Sequence, residues 1–361
     1  MGLLSRLLGR DGPGFWRARS RWLHRLGYVD PPVAVQWIST SRCDLACSHC
    51  YSEAGRPSPD ELSTDEACRL VVDELVRLEC PTFVVAGGEA LLRRDLPAII
   101  AHAHARSVPW ALHSHGGRVA ALATVFERHP PVMAAISLDG PRALHDAFRG
   151  RGGSFDDAVR AIGALRASGC PEVVAGTTVT RDNADHLVDL LPAVLDSGAH
   201  SWGLHLVTPE GRAGRHPELR PTPDQLRRVA ALARRLRGAM RVELDNEWGS
   251  AGADDCFYRD DPFVCGAGRI SCVVSATGEV MPCTTTDSTE SEGNVRDRPL
   301  SDIWATGFAR FRGGEDPLRG DDRDCWLQTR HGGSCRAAAF PAFDANPLAI
   351  SPVSPAIGGV R

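Results

Sequence analysis

Three cysteines and a histidine lie within the nine residues CDLACSHCY, residues 43–51. Cysteines at this density indicate metal ligation. A structural zinc ion needs four ligands, and His49 could be the fourth, but it adjoins Cys50 and neighbouring side chains converge poorly on one ion. A four-iron cluster held only by Cys43, Cys47 and Cys50 would instead leave one iron open for a substrate or cofactor. The motif therefore predicts either a zinc site or an iron–sulfur cluster with an open iron.

Alternating strand and helix patterns surround this motif and must position it. Short apolar, β-branched runs indicate six buried parallel strands. These runs are VAVQWIST (33–40), TFVVAGG (82–88), PWALHS (109–114), VMAAISLDG (132–140), EVVAGTTVT (172–180) and SWGLHLV (201–207). Helical patterns follow the strands at 64–79, 95–107, 117–129, 154–168, 184–197 and 222–237. Six successive β/α units predict an α/β fold, a partial or full barrel whose chemistry lies at the carboxyl ends of its strands.

The composition limits the classes of protein that this chain can be. Its 361 residues are 43% hydrophobic and 24% charged, which suits one large and one smaller domain. The net charge of −4 gives no reason to expect a nucleic-acid partner. No apolar run reaches the roughly 18 residues of a transmembrane segment, and Arg6 and Arg10 interrupt the amino-terminal leucines where a signal peptide is continuously apolar. We therefore expect a cytoplasmic protein, whose twelve cysteines are metal ligands, catalytic groups or buried residues.

Composition also divides the chain into four parts. Residues 1–32 form a basic extension, predicted as a helix that lies against the main domain, with a membrane or partner surface as the alternative. The β/α units occupy 33–240. Residues 241–347 are rich in Gly, Asp and Cys, and they predict a small domain with a β-hairpin turned at Thr277-Gly278. Residues 348–361 are predicted to be a flexible tail.

The cysteine motif, at its position after the first predicted strand, resembles that of the radical S-adenosylmethionine (SAM) superfamily, in which C-x3-C-x2-C follows the first strand of a β/α series. Gly87-Gly88-Glu89, at the end of the second strand, belongs to the same resemblance. The resemblance implies a partial (β/α)6 TIM-type barrel. It also implies a [4Fe–4S] cluster that is bound by Cys43, Cys47 and Cys50 and whose fourth iron binds SAM. Reductive cleavage of SAM would then give a 5′-deoxyadenosyl radical that abstracts a substrate hydrogen. A non-catalytic zinc scaffold, the alternative of another class, would need no Gly-Gly-Glu.

The resemblance also implies which residues contact SAM. Glu89 and its two glycines would meet the methionine amino group, with Ala90 where the family usually has proline. Ser137-Leu138-Asp139-Gly140 resembles the family's Ser-x-Asp-Gly, which meets the SAM carboxylate and ribose. The implied cofactor-binding residues are His49, Gly87, Gly88, Glu89, Ser137, Asp139, Arg149, Thr178 and Leu206. The third strand departs from the family, because Ser114-His115-Gly116 replaces the usual Thr-Asn-Gly.

The carboxyl-terminal region resembles the SPASM extension, which binds two auxiliary iron–sulfur clusters, and its shorter "twitch" relative, which binds one. Cys265 and Cys283 match the family's hairpin, and Cys335 matches its closing thiol. Asp322 and His331 stand where the second cluster expects cysteines, so the resemblance implies one auxiliary cluster, with zinc or an empty fold as the alternative. The implied ligands are Cys256, Cys265, Cys283 and Cys335, with Cys272 or Cys325 as alternatives to Cys256.

Family members with this carboxyl-terminal region most often modify ribosomally made peptides or build peptide-derived cofactors. The resemblance therefore implies oxidative modification or crosslinking of such a peptide, and segment 209–214, PEGRAG, resembles a loop of those enzymes. The alternative is a radical SAM oxidoreductase acting on a sugar, an antibiotic intermediate or a tetrapyrrole. Residues 1–32 are too few for a leader-peptide-binding domain, so we expect a separate leader-binding protein or a small substrate. A flavodoxin- or ferredoxin-type protein would supply electrons.

Overall fold

A computed structural model describes residues 30–248, 266–284 and 288–312. The predicted amino-terminal helix and the predicted flexible tail lie outside these described residues. The same holds for four of the cysteines considered as auxiliary-cluster ligands, namely Cys256, Cys265, Cys325 and Cys335.

A nine-stranded sheet forms the centre of the described chain. Its strands are β1 (Ala34–Ile38), β2 (Phe83–Ala86), β3 (Trp110–Ser114), β4 (Met133–Ser137), β5 (Val173–Val179), β6 (Ser201–Leu206), β7 (Arg241–Leu244), β8 (Ser271–Val274) and β9 (Val280–Met281). Their spatial order is β7-β6-β5-β4-β3-β2-β1-β8-β9. All neighbours pair in parallel except β8 and β9, which form an antiparallel hairpin. The six predicted strands and the α/β class are confirmed.

Helices follow most of the strands, as the patterns predict. The first, α1, comprises three continuous segments, Thr64–Glu66, a π-helical Ala67–Val72 and Asp73–Arg77. The others are α2 (Leu96–Ala105), α3 (Ala123–Arg128), α4 (Arg142–Arg149), α5 (Ser154–Ala167), α6 (Leu187–Ser197), α7 (Pro223–Leu236), α8 (Leu300–Thr306) and α9 (Ala309–Arg312). Ser63 caps α1 in a reciprocal capping box with Glu66, which fixes its start where the sequence predicts it. None of the helices in the described part of the chain has the length and hydropathy of a membrane span.

The sheet extends beyond the six predicted strands on both sides. β7 begins immediately after residue 240, so the β/α rhythm continues past the point where the sequence pattern ends. The hairpin expected in a separate small domain joins the same sheet, because β8 pairs with β1, with Cys272 opposite Val35. Helix α4 is a further element that the sequence patterns did not predict. It lies at the carboxyl end of β4, where it carries Arg149.

Alternation along the strands separates a packed face from an inner face. In β1, Val35 and Trp37 are fully buried in the apolar core that the helices cover, and their neighbours are half-buried. In β5 the buried residues alternate with half-buried residues that include Gly176 and Thr178. Because side chains alternate across a strand, the half-buried set lines the interior of the partial barrel. That interior and the loops at the carboxyl ends of the strands form the candidate site.

Candidate active site

The loop after β1 carries the clustered cysteines and is closed by backbone hydrogen bonds. Cys43 N donates to the Gly55 carbonyl at 3.0 Å, and Gly55 N donates to the Ser41 carbonyl at 2.9 Å. Cys47 is only 7% exposed, whereas Cys43 and Cys50 are half-buried. The structure thus brings the three predicted ligands together in one loop, called here the cluster loop (residues 41–55).

The donor set of the cluster loop fits an iron–sulfur cluster better than one zinc ion. Tetrahedral zinc ligands would place their sulfurs about 3.8 Å apart. Within the described residues, the three thiols do not together form a group whose ligand atoms all lie within 4.8 Å of one another, although Cys43 forms one with Asp44 and His115. In a cluster each thiolate binds a different iron, so wider spacing is allowed. Burial raises the pKa of Cys43 to about 11, so its thiolate needs a nearby cation, which cluster irons would supply.

His49 does not complete a zinc site. Its ring stacks on Phe148 with the centroids 4.4 Å apart and the planes 17° from parallel. Burial lowers the pKa of His49 to about 3, which keeps the imidazole neutral. Its Nδ1 is buried and has no hydrogen-bond partner in the described residues. A flat, neutral ring with an unpartnered nitrogen suits a heteroaromatic ring such as adenine, which is the contact that the resemblance implies.

Gly87 and Gly88 bring the end of β2 against the cluster loop. Gly88 N donates to the Thr40 carbonyl and Glu89 N donates to the Arg42 carbonyl, each at 2.8 Å. A Cβ on Gly87 would lie 2.7 Å from the Thr40 oxygen, and a Cβ on Gly88 would collide with the Arg42 carbonyl. The two glycines are therefore required for backbone packing in addition to the predicted approach of SAM.

Glu89 is held by the end of β3, the strand whose motif departs from the family. Ser114 Oγ donates to the Glu89 carboxylate at 2.9 Å, and His115 N donates to it at 2.9 Å. Gly117 N donates to His115 Nδ1, so the ring proton of His115 is on Nε2. This Nε2 donates to the Asp44 carboxylate at 2.9 Å and lies 3.2 Å from the Glu89 carboxylate. Ser114 and His115 therefore position Glu89 and connect it to the cluster loop. The sequence alone gives no sign that His115 joins Glu89 to the cluster loop, because its contact with Asp44 spans 71 residues.

Asp139 and Arg149 form a buried ion pair beside the cluster loop. Arg149 Nε donates to Asp139 Oδ2 at 2.7 Å, and its Nη1 lies 3.7 Å from Cys47 Sγ. Burial by itself would raise the pKa of Asp139, but Arg149 and nearby histidines outweigh it and lower this pKa to about 2. Thr178 N donates to the other carboxylate oxygen at 3.0 Å, which ties β5 to the pair. The predicted residues Asp139, Arg149 and Thr178 are thus brought together at one end of the barrel.

Ser137 and Leu206 complete the set of predicted SAM contacts. Ser137 ends β4 opposite Gly176 of β5, and Leu206 ends β6 opposite Val179. Both are half-buried: Ser137 alternates with the buried residues of β4 and so faces the barrel interior, whereas Leu206 packs against the apolar core on the same side of β6 as Leu204. Their contact with SAM stays a prediction.

A histidine and two carboxylates lie together on the inner face near β6 and β7. His205 Nδ1 is 3.0 Å from Asp245 Oδ2 and 3.7 Å from Glu247 Oε2. Burial alone would lower the pKa of His205, but the two carboxylates raise it to about 9, so the imidazole is protonated at neutral pH. Its Nε2 lies beside Gly176 and Gly203, which are opposite each other on β5 and β6. The sequence patterns do not reveal this group, because Asp245 and Glu247 follow β7, a strand that they did not predict.

Tyr51 of the cluster loop interacts electrostatically with Cys283 of the carboxyl-terminal hairpin. Its pKa is raised mainly by burial and then by the thiols of Cys50 and Cys283. Cys283 is half-buried just after β9, whereas Cys272 is 1% exposed in the apolar core. Placement in the core favours a packing role for Cys272. Cys80 and Cys170 are also buried, which is the third of the roles expected for the cysteines of this chain.

Comparison with known proteins identifies two domains. A family model described as the radical SAM superfamily matches residues 37–191, and one described as an iron–sulfur cluster-binding domain, SPASM, matches residues 265–326. Among solved structures, SuiB of Streptococcus suis bound to the precursor peptide SuiA has a TM-score of 0.64 at 13% identity, covering 91% of this chain and 78% of that one. That likeness supports the fold.

Two relatives are more similar in sequence. The AdoMet-dependent heme synthase of Oleidesulfovibrio alaskensis is 32% identical over 330 residues, covering 85% of this chain and 83% of the relative. The mycofactocin maturase MftC of Mycolicibacterium smegmatis is 34% identical over 263 residues, covering 71% of this chain and 65% of the relative. Together with the cluster loop, the Gly-Gly-Glu packing and the parallel sheet, these matches show that the chain is a SPASM-type enzyme of the radical SAM superfamily.

Proposed function

We propose that this radical SAM enzyme oxidatively modifies or crosslinks a ribosomally made peptide, or builds a peptide-derived cofactor, inside the partial barrel. The observation that carries the proposal is the pairing of β8 with β1, which joins the hairpin to the strand that leads into the cluster loop. In keeping with this, the Cys283 thiol helps to raise the pKa of Tyr51, the residue next to Cys50. A substrate bound between the two regions would be exposed to the radical from one side and to an auxiliary cluster from the other. An auxiliary cluster can accept the electron that remains after hydrogen abstraction, which favours net oxidation.

The residues of the chain would divide the work around the cofactors. Bound to Cys43, Cys47 and Cys50, a reduced [4Fe–4S] cluster supplies the electron that cleaves SAM. His49, the Gly87–Glu89 segment and the strand-end residues of β4 to β6 would orient SAM. Gly176 and Gly203 of the inner face have no side chain, and the His205 imidazole lies beside both of them. His205, paired with its carboxylates, supplies charged groups that a polar substrate could contact.

We further propose the partners and the cellular setting. A flavodoxin- or ferredoxin-type protein would reduce the cluster, and a separate protein would bind the leader of a peptide substrate. The SuiB structure contains its precursor peptide, which supports a peptide as the substrate class for this fold. A cytoplasmic location would keep the thiol ligands reduced. We also retain the proposed division into a barrel at 33–240 and a SPASM-like domain at 241–347 whose hairpin extends the barrel sheet.

A tetrapyrrole is the second candidate substrate. Similarity to a heme synthase at 32% identity over most of both chains favours it. Incubation of the reconstituted enzyme with SAM, dithionite and either a synthetic precursor peptide or an iron porphyrin separates the two. We expect the peptide to stimulate 5′-deoxyadenosine formation about tenfold over the substrate-free rate and to lose hydrogen atoms, measured by mass spectrometry. Stimulation by the porphyrin alone would replace the peptide proposal.

Metal content tests the cofactor assignment independently of the substrate. After anaerobic reconstitution we expect about eight irons and eight sulfides per chain, falling to about four of each in a variant with Cys43, Cys47 and Cys50 replaced by alanine. Four irons in the wild type and none in the variant would contradict the auxiliary cluster. Zinc without iron would contradict both clusters.

A further inference from the structure

The segment after β6 packs directly beneath the cluster loop. Val207, Ala213 and Leu219 of this segment form a small apolar cluster with Phe148 of α4, separate from the main core. Phe148 is also the ring on which His49 stacks. The segment is therefore anchored on the far side of the barrel from β1 and still reaches the residues that hold the first cluster.

Arg212 connects this segment to the middle and to the end of the cluster loop. Its Nη1 donates to the Cys47 carbonyl at 2.7 Å, and its Nη2 donates to the Ala54 carbonyl at 2.9 Å. Its backbone N donates to the Cys50 carbonyl at 2.8 Å, and Ala213 N donates to the same oxygen at 3.2 Å. One guanidinium thus fixes two backbone oxygens that lie seven residues apart in the loop.

Gly211 makes this approach possible. Its φ is +53°, a left-handed conformation that glycine adopts readily. A Cβ at this position would collide with the Tyr51 carbonyl. The glycine and the arginine therefore work together, since the first allows the two backbones to meet and the second bonds them.

The charges around Cys47 make the arrangement more than a packing contact. Arg212 donates to the carbonyl of Cys47, and Arg149 lies 3.7 Å from its sulfur. Arg149 is already paired with Asp139, whereas the Arg212 side chain donates to the carbonyl oxygens of Cys47 and Ala54. A positive charge held beside a thiolate ligand stabilises the more negative, reduced state of an iron–sulfur cluster.

We propose that Arg212 is a positioning residue that holds the cluster loop in its metal-binding conformation and raises the reduction potential of the SAM-binding cluster. This role of Arg212 involves the cluster loop alone and does not depend on the identity of the substrate. It predicts that loss of the guanidinium both loosens the loop and makes the cluster harder to reduce. The bidentate geometry predicts that lysine, which keeps the charge but not the fork, replaces it only in part.

The test compares reconstituted R212M and R212K with wild type and with R215M. Arg215 is a matched control on the same segment: its ion pair with Glu53 also reaches the cluster loop, but both side chains are exposed, so the pair contributes little to stability. Two quantities are measured without substrate, namely the rate of iron release to a chelator and the midpoint potential from an EPR-monitored titration. Circular dichroism confirms that each variant is folded.

We expect R212M to release iron about tenfold faster than wild type, because two charge-assisted hydrogen bonds that oppose local opening are lost. The midpoint potential of the cluster in R212M should be lower than in wild type. R212K should release iron at a rate between those of R212M and wild type, and R215M should match wild type in both quantities. If R212M does not fold, the comparison of R212K with wild type tests the proposal. Iron release and potential in R212M equal to those of R215M, or in R212K equal to those of wild type, would overturn the proposal. A chain that binds no iron even as wild type would instead refute the cofactor assignment.

Discussion

Replacement of Asp139 by asparagine isolates the buried ion pair that joins α4 to the barrel. Asparagine keeps the shape of the side chain but removes the charge that Arg149 faces at 2.7 Å. Asp139 is 1% exposed, so water cannot replace the lost partner. We therefore expect this substitution to destabilise the enzyme strongly.

The size of the effect follows from the pKa. Burial would raise the pKa of Asp139, but Arg149 outweighs it and lowers the value from 3.8 to about 2. A depression of this size corresponds to about 2 kcal/mol of stability. Leaving a buried arginine without its partner adds a desolvation penalty, and breaking such pairs costs about 3–5 kcal/mol. We expect a loss of about 3 kcal/mol.

The same pKa sets the sign of the pH dependence. The folded state holds Asp139 at a lower pKa than the unfolded state, so the pair contributes its full stability above about pH 4. That contribution is lost as the pH falls from about 4 towards 2. In D139N this contribution is absent at every pH. The difference in the free energy of unfolding between wild type and D139N should therefore shrink as the pH falls from about 4 towards 2.

The assay is anaerobic thermal unfolding of the reconstituted enzymes. A loss of about 3 kcal/mol should lower Tm by about 4 °C in a chain of this size. D156N is the matched control, because Asp156 pairs with Arg142 on the exposed surface, and its Tm should change by less than about 1 °C. A double-mutant cycle of D139N with R149M should give a coupling above about 1 kcal/mol. A Tm for D139N equal to that of D156N, or a coupling near zero, would refute the reasoning.

Three further substitutions test the site. C47A should abolish formation of 5′-deoxyadenosine from SAM, measured by liquid chromatography, because the first cluster loses its most buried ligand; retained cleavage would contradict the cluster assignment. C283A should keep SAM cleavage but stop product formation and lower the iron content by up to about four per chain, whereas the core variant C170A should do neither; full turnover in C283A would make the auxiliary site dispensable. G88A should lose iron on reconstitution and unfold at lower temperature by the equivalent of about 1–3 kcal/mol, because its Cβ meets the Arg42 carbonyl; normal iron content would show that the cluster loop can move aside.

The elements of the barrel are largely predictable because each depends on local patterns. Buried strands read as short apolar runs, and the six that the sequence predicts are all present. β7 was missed because its four residues, Arg241–Leu244, include two charged side chains at a sheet edge. The pairing of β8 with β1 was also missed, because no local signal connects segments more than 200 residues apart.

The sequence by itself determined the chemistry of this protein, because ligand type and spacing are local properties. The cysteines of the cluster loop, Gly87-Gly88-Glu89 and Ser137-x-Asp139 each lie within a few residues at a strand end, so their order along the chain was enough to show the resemblance to the radical SAM superfamily, which implied the chemistry.

Tertiary structure alone decided how those groups are held. It brought Arg212 to the Cys47 carbonyl across 165 residues, His115 to Asp44 across 71 and Arg149 to the Cys47 sulfur across 102. Such contacts depend on which strands become neighbours and how their loops pack, and this is set by burial of the whole core rather than by any single stretch of sequence.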